Sequence, residues 1–174
     1  MIREGFAKNP GLYLACCNAN FALPYPAETF DFVFSVNVIH YIRNLDHYFN
    51  EMHRILKPGG IVLTATDSED DLRRRTMATY FPQTVEVDLK RYHRTTVLNS
   101  TMTRNGFDKI MNSHAERVFQ VDDNYLAKCK NKAFSAIRLL TVEDFEMGLR
   151  RLKAAIKTGN SPGREVYTFF WGFK

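Results

Sequence analysis

The chain has 174 residues, and 45% of them are apolar or aromatic, which is enough to bury the core of one domain. The formal net charge is +5, but Lys and Arg occur in short, scattered clusters, so we expect a solvated basic surface and no nucleic-acid partner. No apolar run is as long as a membrane span, and the first residues lack the apolar core of a signal peptide. We therefore expect a cytoplasmic protein with no membrane partner.

The cysteine and histidine residues give no sign of a metal site. The three cysteines and five histidines show no CxxC, HxH or HExxH spacing, so the sequence predicts neither a bound metal nor a redox motif. Cys16, Cys17 and Cys129 are expected to be reduced and buried, which is the usual state of a free cysteine.

The first part of the chain alternates predicted helix, strand and loop. Residues 2–8 are expected to be the last residues of a helix, because Asn9-Pro10-Gly11 cannot continue it. Residues 12–16 form a short apolar run typical of a buried strand, and the two prolines within residues 23–26 predict a loop. Residues 30–36 are apolar on both faces, which predicts a strand buried on both sides of a parallel sheet.

A strand–helix–strand unit follows. Asn44 can cap a helix that ends at Lys57-Pro58-Gly59-Gly60, and residues 61–65 form the next buried strand. Because a helix joins the two strands, we expect them to be parallel with a right-handed crossover. The apolar positions of the helix fall on one face and are Leu45, Tyr48, Phe49, Met52 and Leu56.

The rest of the chain is predicted to contain helices and an antiparallel pair of strands. Helix-capping sequences at Ser68 and Thr141 predict that a helix begins directly after each of these residues. No linker interrupts the pattern, so residues 1–174 are expected to form a single domain. The predicted segments are a strand within 107–121, a helical insertion at 123–158 and a closing strand at 165–173.

Several motifs occur in a fixed order between Leu23 and Ala65. They are Leu23-Pro24-Tyr25-Pro26, Phe30-Asp31-Phe32-Val33-Phe34-Ser35, Val38-Ile39-His40-Tyr41-Ile42, Glu51 and Arg54-Ile55-Leu56-Lys57-Pro58-Gly59-Gly60. Each motif alone occurs by chance, but the order and spacing together are specific. In these residues the chain resembles the class I S-adenosylmethionine-dependent methyltransferases, particularly the type 11 group.

The resemblance implies a Rossmann-like α/β sheet that lacks its first two strands. Members of the family bind the cofactor with a GxGxG turn after the first strand and an acidic residue after the second. This chain has nine glycines, and no two are separated by a single residue. The resemblance therefore implies an incomplete domain, whose strands at 12–16 and 30–36 would have unpaired edges through which the chain could form a homo-oligomer.

The resemblance also implies a cofactor site beyond the carboxyl ends of the strands. S-adenosylmethionine is the expected cofactor, bound weakly or not at all by this chain alone. Asn18 occupies the position of an aspartate that binds the adenine amine in the family, and Ser35 to Asn37 would lie beneath the methionine portion. The predicted cofactor contacts are Cys17, Asn18, Ala19, Ser35, Val36, Asn37 and His40.

Three residues near this edge are candidate catalytic residues: His40, Tyr41 and Asp67. The methyl group of a sulfonium is already activated, so the protein mainly aligns the reactants, and a base is needed only when the acceptor must lose a proton. His40 could also be a structural histidine that bonds backbone carbonyls. Residues 68–106 and 123–158 are expected to form a lid over the acceptor.

Two functions stay open on the sequence. One is methyl transfer to a small-molecule acceptor in an apolar pocket. The other is a catalytically inactive, methyltransferase-like binding or scaffold module, which could need a partner chain or could bind RNA or an acidic partner through its basic face. The aromatic residues that could line an acceptor pocket are Tyr80, Phe81, Tyr92, Phe134 and Trp171, although core packing is the commoner role of such side chains.

Overall fold

A mixed α/β fold with a four-stranded open sheet appears in the computed structural model, which describes residues 7–9 and 11–174. The strands lie in the order β1–β2–β4–β3; β1 and β2 are parallel, whereas β4 is antiparallel to both β2 and β3. The predicted Rossmann-like class with an antiparallel C-terminal strand is thus confirmed. The strands are β1 at Phe30–Val36, β2 at Leu56–Thr66, β3 at Lys109–Gln120 and β4 at Pro162–Phe173.

Helices connect the strands and extend beyond them. Among the described residues, none of the helices combines the length and the apolar character that crossing a bilayer requires. Short 3-10 turns lie at Ile39–Tyr41 and Ala136–Leu139. The α-helices are α1 at Leu45–Ile55, α2 at Glu69–Arg74, α3 at Thr76–Tyr80, α4 at Gln83–Leu89, α5 at Thr95–Arg104, α6 at Asp123–Lys130 and α7 at Val142–Thr158.

Helix α1 forms as its sequence predicts. The side-chain oxygen of Asn44 accepts a hydrogen bond from the backbone N–H of His47 at 3.0 Å, which caps the first turn. The apolar face is buried against β2, and Phe49 is completely inaccessible. This burial, rather than helix propensity alone, stabilises the helix.

Helix α5 packs beside α1 instead of forming part of a lid. Its Leu98 and Met102 are buried in the same core cluster as Phe49, together with Val62 of β2 and Phe170 of β4. The prediction that residues 68–106 form a lid is therefore wrong for the part of the chain that forms α5. The helix is amphipathic, and the sheet face beside α1 offers the apolar surface that it needs.

A second core cluster joins α3, α6 and α7. Tyr80 and Phe81 are buried in it beside Leu149 and Leu152, so these two aromatic residues serve the core rather than an acceptor pocket. Residues 123–158 contain α6, the second 3-10 turn and α7, and they lie in the chain between β3 and β4.

Both predicted capping sequences begin helices. Ser68 and Asp71 form a reciprocal capping box, in which the Ser68 hydroxyl accepts from the Asp71 N–H at 3.2 Å and the Asp71 carboxylate accepts from the Ser68 N–H at 2.9 Å. The hydroxyl of Thr141 accepts from the N–H of Asp144 at 3.1 Å at the start of α7. Asp71 also accepts a 2.5 Å hydrogen bond from the hydroxyl of Thr168 in β4, which connects α2 to the sheet.

Two predictions near the N-terminus differ from the structure. Residues 12–16 are not a strand, and Leu12 and Tyr13 are exposed, because no described strand lies beside them to supply ladder hydrogen bonds. Cys16 and Cys17 are exposed as well, whereas Cys129 is buried as predicted. The predicted helix at 2–8 falls mostly outside the described residues; Ala7 and Lys8 are helical.

Within residues 7–9 and 11–174, little covers one face of the sheet at β1, contrary to the prediction that β1 is buried on both sides. Val33 packs against the cluster formed by α1 and α5, but Phe32, Phe34 and Val36 are 46%, 63% and 50% exposed on the opposite face. Residues paired across neighbouring strands share a face, so the register extends this surface across all four strands. We call it the open sheet face. The same register also places Ala65, Lys109 and Ser113 on it, and its exposed or partly exposed apolar members are Phe32, Phe34, Val36, Ile61, Leu63, Met111, Phe169, Trp171 and Phe173.

Gly148 of α7 provides a test of the second core cluster. A Cβ atom at this position would lie 2.0 Å from Cδ1 of Phe81, which is fully buried. We expect Gly148→Ala to lower the free energy of unfolding by about 1–3 kcal/mol, because the ring has no space into which to move. Urea denaturation measures the change. As a control, Glu146→Ala on the exposed side of the same helix should change it by less than about 0.5 kcal/mol; equal effects would contradict the packing.

Candidate functional site

A cavity of about 380 Å³ opens at the carboxyl ends of β1 and β2. Asn37 follows β1, and its N–H donates to the carbonyl oxygen of Ala65 in β2 at 2.9 Å. Its φ of 53° lies in the left-handed region, which asparagine tolerates better than most residues do. This conformation turns the chain into the first 3-10 turn, which carries His40 and Tyr41, while Asp67 follows β2.

Aromatic side chains and paired charges line the remaining walls. Arg75 lies between α2 and α3, Asp88 lies in α4, and Arg164 and Glu165 belong to β4. The aromatic lining residues are His40, Tyr41, Tyr92, Tyr125, Phe134 and Tyr167.

His40 lies between two tyrosines. Its ring stacks on Tyr92, with centroids 4.4 Å apart and planes 17° apart, and lies 4.1 Å from the ring of Tyr41. Burial lowers the pKa of His40 to about 4, and the positive charge of Arg91 is the second largest cause of this shift. Neither buried ring nitrogen has a hydrogen-bond partner within the described part of the chain. His40 is therefore a neutral imidazole at pH 7, with one donor and one acceptor free of protein contacts.

An ion-pair network lies beside His40. The Arg75 guanidinium donates to the carboxylates of both Asp67 and Asp88, and Arg91 donates to Asp88 at 2.8 Å. Burial raises the pKa of Asp67, although Arg75 acts in the opposite direction. Burial also raises the pKa of Tyr92 to about 12, and the negative charge of Asp67 adds to this shift. Because each carboxylate has an arginine partner, the cavity carries no isolated negative charge.

Four of the predicted site residues meet in this cavity: Asn37, His40, Tyr41 and Asp67. The other predicted cofactor contacts do not line it. The Ser35 hydroxyl lies within the sheet, 3.4 Å from the hydroxyl of Thr64, and Val36 lies on the open sheet face. The remaining three, Cys17, Asn18 and Ala19, lie in the loop before β1.

Asn20 connects the loop at residues 17–20 to the segment that follows the first 3-10 turn, because its side-chain oxygen accepts from the N–H of Arg43 at 2.8 Å. The side-chain oxygen of Asn18 already accepts from the backbone and the amide nitrogen of Asn20, at 3.0 and 3.2 Å. A carboxamide oxygen has two lone pairs, so this atom has no capacity left for an adenine amine. Of the predicted cofactor contacts, Asn37 and His40 thus line the cavity, whereas the Asn18 oxygen is not free to bind an adenine amine.

The sequence did not point to every lining residue. Arg75 belongs to the run Arg73-Arg74-Arg75, which looked like a solvated basic cluster, yet only Arg75 is turned inward. Asp88 is buried in the short helix α4, and no spacing rule connects it with Asp67. Of the five aromatic candidates, Tyr92 and Phe134 line the cavity, whereas Trp171 lies on the open sheet face.

Comparisons with known proteins give a consistent result. Residues 2–64 match the family model described as "Methyltransferase domain", and no curated protein matches the chain. A crystal structure of a methyltransferase from an antibiotic biosynthesis pathway of Anabaena variabilis is 21% identical; the match covers 88% of this chain and 70% of that one, with a TM-score of 0.66.

Two further solved structures share the fold. A Thermotoga maritima S-adenosylmethionine-dependent methyltransferase, described with histamine as a candidate acceptor, is 16% identical over 98% of this chain and 68% of its own, with a TM-score of 0.54. The YcgJ protein of Bacillus subtilis is 14% identical over 99% of this chain and 76% of its own, with a TM-score of 0.57. The chain therefore shares the fold of the class I methyltransferases, and over residues 2–64 its sequence matches the methyltransferase-domain family model.

Proposed function

We propose that the chain is an S-adenosylmethionine-dependent methyltransferase that binds a small-molecule acceptor in the cavity beyond β1 and β2. One observation carries the proposal: Asn37, His40 and Asp67, which follow two different strands, line the same cavity, and the buried ring nitrogens of His40 have no protein partner among the described residues. Buried polar atoms are normally satisfied, so an unsatisfied imidazole in a cavity indicates a place for a ligand group.

The cavity favours a compact, uncharged and partly aromatic acceptor. Its volume of about 380 Å³ is at the lower end of the range for small-molecule sites. The carboxylates of Asp67 and Asp88 are paired with arginines, so a charged acceptor would have to break an existing ion pair. Tyrosine and phenylalanine side chains provide flat apolar surfaces on which an aromatic ring can pack.

His40 has the properties of a general base in this site. At pH 7 the neutral imidazole can accept a proton from a hydroxyl or amine of the acceptor as that atom attacks the methyl group. S-adenosylmethionine, when bound, supplies the activated methyl group. Asn37 is the lining residue that we assign to the cofactor, and Arg75 positions Asp67 and Asp88 by hydrogen bonds to both carboxylates.

A second candidate function is a catalytically inactive binding module built on the same cavity. Two observations favour it. The side-chain oxygen of Asn18 already accepts two hydrogen bonds from Asn20, and the sequence contains no GxGxG turn. Both functions predict acceptor binding, but only the enzyme also binds the cofactor. Calorimetry with S-adenosylmethionine distinguishes them: for the enzyme we expect weak but saturable binding, with a Kd of roughly 0.1–1 mM.

The protonation of His40 can be measured directly. By NMR, the ring protons of His40 should titrate with a midpoint near 4, about 2.5 units below an ordinary histidine. Since the pKa is lowered by folding, His40 contributes stability above pH 6.5, and this contribution is lost as the pH falls from 6.5 to 4. His40→Phe keeps the stacked ring and should flatten the dependence of stability on pH in this window. A His40 midpoint near 6.5 would contradict the buried, neutral state.

Methyl transfer can be tested with about 1 mM S-adenosylmethionine and a panel of small phenols and aromatic amines, by following formation of S-adenosylhomocysteine. His40→Gln should lower kcat by about 100- to 10,000-fold, because the acceptor loses its base. His114→Gln, an exposed histidine on β3, is the matched control and should leave kcat unchanged.

Two results would contradict the catalytic proposal. If the full chain forms no S-adenosylhomocysteine with any acceptor of the panel and shows no saturable cofactor binding, the binding-module function is favoured. If His40→Gln and His114→Gln reduce kcat equally, His40 is not the base.

A further inference from the structure

We propose that the hydroxyl group of Tyr125 determines which methyl acceptors bind, by donating a hydrogen bond to a second, neutral oxygen atom of the acceptor. The proposal rests on the proposed function, since it concerns the acceptor in the same cavity, and it narrows the acceptor class. The expected acceptor is a one-ring phenol or aromatic amine that carries a methoxy, carbonyl or hydroxyl oxygen besides the group that is methylated.

Tyr125 reaches the cavity from the segment between β3 and β4. It lies in the first turn of α6, where the side chain of Asp122 accepts from its backbone N–H at 2.8 Å and caps the helix. The centroid of its ring lies 6.4 Å from that of Phe119 and 5.4 Å from that of Phe134. The cap and the two aromatic contacts thus fix the position of a side chain that lines the cavity.

The hydroxyl of Tyr125 differs from that of Tyr80 in having no protein partner. Tyr80 donates to the carbonyl oxygen of Pro162 at 3.0 Å, as buried tyrosines usually do. Within the part of the chain that the structure describes, the hydroxyl of Tyr125 makes no hydrogen bond, and its oxygen stays accessible. Because Tyr125 lines the cavity, a ligand atom there can accept the hydrogen bond that the protein leaves unmade.

The surroundings of this hydroxyl favour an uncharged oxygen as its partner. Burial raises the pKa of Tyr125, and the nearby Cys129 adds to the shift, so the hydroxyl keeps its proton and can donate it. A phenolic oxygen shares its lone pairs with the ring, which makes the group a better donor than acceptor. The arginines that line the cavity, Arg75 and Arg164, are already paired with carboxylates, so an anionic group would have to compete for them.

Three matched pairs of ligands test the inference on the full chain without cofactor. Each pair is a methoxyphenol and the ethylphenol with its substituent at the same ring position, so that a methylene group of similar size replaces the ether oxygen. At one of the three ring positions the methoxyphenol should bind with a Kd about 3- to 10-fold lower, as expected for one hydrogen bond. The hydrophobic effect acts in the opposite direction, because the ethyl group is more apolar. Isothermal titration calorimetry measures both Kd values.

Tyr125→Phe removes the hydroxyl and keeps the ring. The methoxyphenol should lose its advantage, while the Kd of the ethylphenol changes by less than about twofold, because its ethyl group makes no hydrogen bond. Tyr80→Phe is the matched control, since it removes a hydroxyl that bonds to the protein: it should keep the preference for methoxyphenol but lower Tm by about 2–4 °C. Tyr125→Phe should leave Tm unchanged, because its hydroxyl loses no protein partner.

Any of several results would overturn the proposal. The wild-type chain could show no preference for methoxyphenol at any ring position, or no saturable methoxyphenol binding up to about 10 mM. A preference that Tyr125→Phe keeps, or that Tyr92→Phe removes instead, would assign the second oxygen to another group. An equal fall of Tm in Tyr125→Phe and Tyr80→Phe would mean that the Tyr125 hydroxyl bonds to the protein. None of these measurements uses the cofactor, so a chain that transfers no methyl group can still confirm the proposal, and an active enzyme can still contradict it.

Discussion

The guanidinium of Arg75, which donates to two buried carboxylates, is the constraint on which the cavity depends. Asp67 follows β2, whereas Asp88 belongs to α4, so a single side chain connects the sheet to the helices above its edge. Two carboxylates this close would repel each other without a shared cation, and one of them would take up a proton. Removing one partner from a buried ion pair typically costs about 3–5 kcal/mol, because the remaining charge stays desolvated.

Neighbouring contacts determine where Arg75 lies. The hydroxyl of Thr76 donates to the carbonyl oxygen of Arg164 at 2.8 Å and accepts from its N–H at 2.7 Å. Tyr80 donates from its hydroxyl to the carbonyl oxygen of Pro162 at 3.0 Å. These bonds connect α3 to the backbone of β4, and the residue just before α3 is Arg75. The position of the guanidinium is therefore a consequence of how α3 joins the sheet.

The outer wall of the cavity is attached by weaker interactions. Arg91 extends the network from Asp88 to the hydroxyl of Ser135, at 3.3–3.4 Å, close to Phe134. These are long hydrogen bonds between partly buried groups, so they contribute less than the short pairs around Arg75. The side of the cavity near Ser135 and Phe134 is therefore held less strongly than the side that Arg75 connects.

Local features of the fold could be predicted from the sequence, whereas features that depend on distant parts of the chain could not. The strand at residues 30–36, the Asn44 cap and the Ser68 capping box depend on neighbours within a few residues, and all three are confirmed. The burial of β1 depends on what covers each face, which its own residues do not specify. The inward turn of Arg75 depends on β4, about 90 residues later in the chain.

The same limit explains the candidate site. The four cavity residues predicted from the sequence could be assigned to one edge, because the carboxyl ends of parallel strands meet. Asn37 and Asp67 directly follow β1 and β2, and His40 and Tyr41 lie in the turn just after β1. Residues 17–19 were assigned by the same rule, but it requires a strand at 12–16, and that segment has no described neighbour with which to pair. Tyr125 and Tyr167 reach the cavity only through the arrangement of α6 and β4, which no local pattern specifies.

The two unusual surfaces of the molecule meet at the end of β1. Val36 is the last residue of that strand and half of its side chain is exposed on the open sheet face, while the next residue, Asn37, lines the cavity. The peptide that joins Val36 to Asn37 therefore belongs to both surfaces. The positive φ of Asn37 takes the chain out of the sheet at this point, so the backbone that ends the exposed strand also begins the lining of the cavity.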